Sequence, residues 1–113
     1  MSQLDDKITL KHLQKFVARF EREMGFDEQT AMAKCLLLGE EVGELFKAVR
    51  QRSGLGMSVG TDAPDVAEEL ADVLIFLAAI ANRFSIDLEE AFRSKHERNG
   101  SRQWRTTDSD YKG

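Results

Sequence analysis

Two stretches of this chain set carboxylates on the apolar stripe of a helix, at the same spacing. GEEVGELFKAV, residues 39–49, reads Glu-Glu-x-x-Glu, and AEELADVLIFLAAI, residues 67–80, reads Glu-Glu-x-x-Asp. At about 100° per residue, Leu37, Leu38, Val42, Leu45, Phe46 and Val49 fall between roughly −40° and +140° of Glu41. Glu41 therefore lies inside the apolar arc, Glu44 (about −60°) borders it, and Glu40 (about −100°) lies just outside. In the second stretch Val66, Leu70, Val73, Leu74, Phe76, Leu77 and Ile80 span about −20° to +140° of Glu69, with Asp72 at the border and Glu68 outside. An ionised carboxylate in apolar surroundings costs several kcal/mol unless it is paired, protonated or bound to metal. Few cations share these arcs, Lys47 being the nearest. A cation held by Glu41, Glu44, Glu69 and Asp72 is then a better account than four internal ion pairs. All-oxygen ligation favours Mg²⁺, with Mn²⁺ as a substitute. Di-iron bundles instead use Glu-x-x-His pairs. The positions three after Glu41 and Glu69 are Glu44 and Asp72, and His12 and His96 are far from both, so iron is disfavoured.

The rest of the chain supplies further helices and no comparable strand signal. Leu10, Leu13, Phe16, Val17, Phe20 and Met24 recur at helical spacing and predict a first helix over about 8–24, stopped by Gly25. Asp27 is the expected N-cap of the second, which runs to about Arg52 with Ala31, Cys35, Leu38, Val42, Leu45 and Val49 on one stripe. A third is expected over about 65–83 and a fourth from Asp87 to Gly100. The fold class is all-α: one four-helix, bundle-like domain over 1–113, its helical part about 8–100, followed by a polar tail over 101–113. Between the acid-bearing helices, RSGLGMSVGTDAP holds three glycines that regular structure does not favour. It reads as a loop that either closes over a ligand or merely connects. Gly39 and Gly43 cost about 1 kcal/mol each inside a helix relative to Ala. Close approach of a neighbouring helix is the preferred reason, and a ligand's sugar or base the lesser one.

With 113 residues, 42% hydrophobic and 32% charged, the chain has the balance of one folded domain. A net charge of −4 gives no attraction to nucleic acid or to anionic membranes, and the basic residues form no continuous stripe. The single cysteine, Cys35, precludes an intrachain disulfide and is expected buried and reduced. The N-terminus lacks a secretory pattern, and the run from Val73 to Ala81 is far shorter than the ~20 residues a membrane span needs. A cytoplasmic location is the default.

Glu41-x-x-Glu44, followed after 24 residues by Glu69-x-x-Asp72, resembles the two-part signature of the MazG-like nucleotide pyrophosphohydrolases, within the all-α NTP pyrophosphatase group. The resemblance implies hydrolysis of (d)NTPs between the α and β phosphates, giving a (d)NMP and pyrophosphate, and a house-cleaning role against non-standard or surplus nucleotides. It implies that Glu41, Glu44, Glu69 and Asp72 hold Mg²⁺, and that Glu40 orients or deprotonates the attacking water. Lys95 and Asn99 match a Lys and Asn that relatives carry on the fourth helix. Lys47, Arg98 and Arg102 are further candidates for the phosphates, and Trp104 for stacking on the base or on a partner subunit. The chain is shorter than tandem-domain MazG proteins and the larger dimeric dUTPases, which leaves the base preference open. Relatives complete their sites at subunit interfaces, so a homodimer or homotetramer is expected. The alternatives are a non-catalytic metal- or nucleotide-binding module, separated by pyrophosphate release, and a structural helical oligomer.

Overall fold

The computed structural model describes residues 7–54 and 65–101. The glycine-rich segment over 55–64, with Asp62 and Pro64, and the tail that holds Arg102 and Trp104 lie outside the described residues. Four helices follow in chain order: α1 Leu10–Met24, α2 Ala31–Arg52, α3 Val66–Arg83 and α4 Leu88–Ser101. The fold is all-α, as the periodicity predicts.

Short polar side chains set the helix starts, by accepting amides that have no partner within the helix. Thr9 accepts from the His12 amide at 3.2 Å and begins α1. Asp65 takes Ala67 N–H at 2.9 Å for α3, and Asp87 takes those of Glu89 and Glu90 at 2.9 and 3.2 Å for α4. The start of α2 corrects the expectation: Thr30, not Asp27, caps it, through a 3.0 Å bond from Ala33 N–H. Residues 25–29 are used up in reversing the chain. Gly25 ends α1 at φ 78, the Phe26 amide returns to Glu21 O, and Gln29 N–H closes onto Phe26 O. Thr30 is the residue at which extended backbone meets the helix. Thr30→Ala should cost about 1 kcal/mol, read as a Tm lower by roughly 4–8 °C in a thermal melt.

α2 packs mainly on α3, α1 lies against α3, and α4 against α1. Early residues of α2 meet late residues of α3: Lys34 Nζ sits 5.4 Å from the Phe76 ring centroid, whereas Glu41 meets Glu69 and Asp72. The two helices therefore run antiparallel.

The interior holds few large side chains. Among the described residues, its buried hydrophobic members are Val17, Ala48, Ala78, Ala79 and Ala81, with Leu13 and Leu88 packed against the Val17–Ala78–Ala79 cluster. Polar networks do the rest of the joining. Gln14, buried on α1, donates to Asn82 Oδ1 at 3.1 Å and to Ile86 O at 2.8 Å, and accepts from Leu88 N–H at 2.7 Å. One side chain thus ties α1 to the end of α3 and to the start of α4. The second network centres on buried Glu21. Its carboxylate takes Arg83 through Nη1 and Nη2 at 2.8 and 3.1 Å, and Lys34 Nζ at 3.0 Å. Lys34 is buried too, between the rings of Phe26 and Phe76. Three helices are locked together by one carboxylate and two cations.

Much apolar surface stays outside. Leu70, Leu74 and Leu77 are exposed along α3, and Met32, Leu36 and Phe46 along α2. Cys35 is exposed as well, against expectation. The stripe on which it was placed is wider than the part of α2 that α3 covers. Among the described residues, no helix is long and apolar enough to cross a membrane.

Candidate metal centre

The antiparallel pairing of α2 and α3 brings Glu41, Glu69 and Asp72 to one point. Each offers a carboxylate oxygen, and the three oxygens lie within 4.8 Å of one another. Glu69 and Asp72 come from adjacent turns of α3 and Glu41 from the facing turn of α2, so the helical register itself builds the cluster.

Electrostatics make this a costly arrangement on its own. Burial pushes the Glu41 carboxyl above its ordinary range, and the charges of Asp72, Glu69, Glu44 and Glu40 push it in the same direction. Lys34 and Arg83 pair with Glu21, and Lys11 with Asp87, away from this cluster. Glu69 Oε2 is buried with no hydrogen-bond partner. Such an oxygen costs about 1–3 kcal/mol when left alone, and more when charged. A set of three carboxylates with an orphaned buried oxygen fits a hard divalent cation, for which oxygen is the preferred donor.

The remaining expected residues are placed around this point. Glu44 and Glu40 are exposed on α2 and reach Glu41 through their charge rather than as members of the close cluster. Lys47 is exposed. Lys95 and Arg98, both exposed, and half-buried Asn99 sit on α4, which packs mainly on α1. Within one chain, then, the acids and the α4 residues belong to different packing pairs.

Lys34 is a further cation that the spacing of the acids does not single out. It lies seven residues before Glu41, only about 20° away on the wheel, closer to the acid's own face than Lys47. The structure turns it to Glu21 on α1, so its ion pair is made there and not in the acid cluster. Its angle on α2 was legible; its partner on another helix was not.

The class this defines is an all-α protein that gathers carboxylates from two antiparallel helices at one point. Comparison with known proteins makes the assignment narrower. Residues 27–105 match the model of the MazG nucleotide pyrophosphohydrolase domain. The uncharacterized protein YpjD of Bacillus subtilis (strain 168) is 36% identical over 89 residues, covering 78% of this chain and 79% of YpjD. YvdC of the same organism is 27% identical over 101 residues, covering 79% and 91%. Among solved structures, Bacillus subtilis YPJD superposes with a TM-score of 0.73 at 30% identity, covering 88% of this chain and all of that one. iMazG from Vibrio DAT 722 superposes with a TM-score of 0.66 at 31% identity, covering 87% and 100%. The chain belongs to the MazG nucleotide pyrophosphohydrolase family.

Proposed function

We propose that this protein hydrolyses (d)NTPs to (d)NMPs and pyrophosphate, dependent on Mg²⁺, and removes non-standard or surplus nucleotides. The observation that carries the reading is the unpartnered, buried Glu69 Oε2 beside Glu41 and Asp72. Glu41, Glu69 and Asp72 would hold the cation, with Glu44 entering from the adjoining turn of α2. Mg²⁺ held there neutralises phosphate oxygens and makes bound water more acidic. Glu40, exposed on the flank of the acid face, would orient the attacking water. Lys47, Lys95, Arg98, Asn99 and the residues 102 and 104 of the tail are the proposed contacts to phosphates and base.

The reading includes self-association. Leu38, Val42 and Leu45 of α2 and Leu70, Leu74 and Leu77 of α3 lie on one side of the antiparallel pair, by their wheel angles. The three leucines of α3 are exposed, and a contiguous apolar face of this kind marks an interaction surface. A second copy covering it would give a homodimer and could bring its α4 residues toward the acids.

The test is a panel of canonical and modified nucleotides, assayed for pyrophosphate release with and without Mg²⁺. In ¹⁸O-labelled water the expected result is label in the monophosphate, since attack falls on the α phosphorus. Label confined to pyrophosphate would show attack at the β phosphorus, and orthophosphate as the primary product would show another reaction.

A further inference from the structure

Two buried side-chain atoms among the described residues lack a hydrogen-bond partner: Glu69 Oε2, in the acid cluster, and Gln51 Oε1. Gln51 is 6% exposed and stands in the last turn of α2. Leaving an amide oxygen buried and unpaired costs about 1–3 kcal/mol, and such an atom in a folded chain calls for an explanation. Its place on α2 supplies one. Glu41, Glu44, Ala48 and Gln51 follow one another at three-four-three spacing, within about 80° of arc. The row that carries the acids therefore also carries the orphaned amide.

The chemistry of this oxygen narrows what it takes. Along the helix axis Gln51 stands about 15 Å from Glu41 and about 10.5 Å from Glu44. That is too far for it to join Glu41 on one cation, since Mg²⁺ holds its ligands at about 2.0–2.1 Å. A carboxamide oxygen is a neutral acceptor, so what it lacks is an N–H or O–H donor. A nucleotide held by its phosphates at the acids, and lying along the row, brings its base to the end of α2. The base is the part of such a molecule that carries N–H groups. The exocyclic amines of adenine and cytosine project beyond the ring, where side-chain oxygens accept from them. The N–H of uracil or thymine is flanked by two carbonyl oxygens, which would crowd a recessed acceptor.

We infer that Gln51 determines base specificity: its Oε1 accepts a hydrogen bond from the exocyclic amino group of an adenine or cytosine nucleotide. This rests on the nucleotide reading proposed above and adds to it a class of base. Burial keeps water from competing for the oxygen. A base with a carbonyl in place of the amine leaves that oxygen unpaired and sets a second acceptor against it, so the site rejects it.

Two matched pairs test this, dATP against dITP and dCTP against dUTP, in each of which a carbonyl replaces the amine. Binding of their non-hydrolysable α,β-methylene analogues to the full chain is measured by calorimetry in Mg²⁺, beside pyrophosphate release from the triphosphates themselves. The wild type should favour the amino member of at least one pair by roughly tenfold or more, and the pair that shows it tells adenine from cytosine. Gln51→Met, similar in length and without the acceptor, should bring that ratio close to one while still binding both members. A glutamine that merely encloses a water would leave the ratio where it was, whatever the variant does to Tm. The inference is overturned if the wild type favours the carbonyl members or neither, or if Gln51→Met keeps the wild-type ratio. An amino preference in binding that Gln51→Met abolishes, with no pyrophosphate released, upholds Gln51 in this role and overturns the proposed reaction instead. Failure of every analogue to bind the wild type overturns both.

Discussion

Glu69→Gln and Glu41→Gln should each reduce kcat/KM at least ~10²-fold, because even supporting residues around a metal site cost 10–100-fold when changed. The fold should survive both changes. Glu41, Glu69 and Asp72 repel one another without a cation, and that repulsion is part of why the Glu41 carboxyl is held above its ordinary range. Removing one charge relieves the metal-free protein, so its Tm should rise in the presence of a chelator. The rise in Tm that Mg²⁺ gives the wild type should shrink in both variants. Full activity in either would sink the ligand assignment, and a fall in metal-free Tm would make these acids structural.

Glu21→Gln should have the largest effect on stability, about 3–5 kcal/mol, the usual cost of breaking a buried ion pair by removing one partner. It removes the carboxylate from Lys34, 5% exposed, and leaves Arg83 with only the backbone carbonyls of Phe26, Gln29 and Ala79. Against a total of about 5–15 kcal/mol for an ordinary domain, such a loss is severe. Burial alone would raise the Glu21 carboxyl, but hydrogen bonds from Arg83 and Lys34, and then their charges, outweigh it and hold the group below its ordinary 4.5. A depressed acid contributes stability that is present above 4.5 and lost as pH falls through the folded-state value. Urea unfolding of the wild type should therefore show constant Glu21-linked stability near neutrality and a decline below about pH 4.5. The variant should be weaker near neutrality and lack that component, so that the two curves converge at low pH. Equal stability of the two at pH 7 would show that the network contributes nothing.

The helices and the acid cluster were legible because both follow from short-range periodicity. Glu41, Glu69 and Asp72 each fell on or beside an apolar arc, and pairing two such arcs leaves little choice about where the acids meet. Gly25 and Asp87 mark helix ends by local chemistry, and they mark them in the structure. The failures involve contacts across the chain. Thr30 displaced Asp27 because the turn after Gly25 consumed the residues between them. Cys35 is exposed because α3 covers only part of the stripe on α2. Glu21, Lys34 and Arg83 come from three helices, and no spacing in one of them reveals a carboxylate bound by the other two.

Among the described residues, four of the five buried hydrophobic side chains are alanines, and no large side chain is fully buried. A core of this kind has a lopsided tolerance. Truncation, the usual way to damage an interior, finds almost no volume to remove. Enlargement at Ala78 or Ala79 has to displace Val17, Leu13 or Leu88, and overpacking costs about 1–3 kcal/mol. At Ala78 or Ala79 an added isopropyl group would force α1 and α3 apart, loosening the bonds through which Gln14 and Glu21 hold α1 to α3. In a saturation scan the intolerant interior positions of this chain should therefore reject bulk.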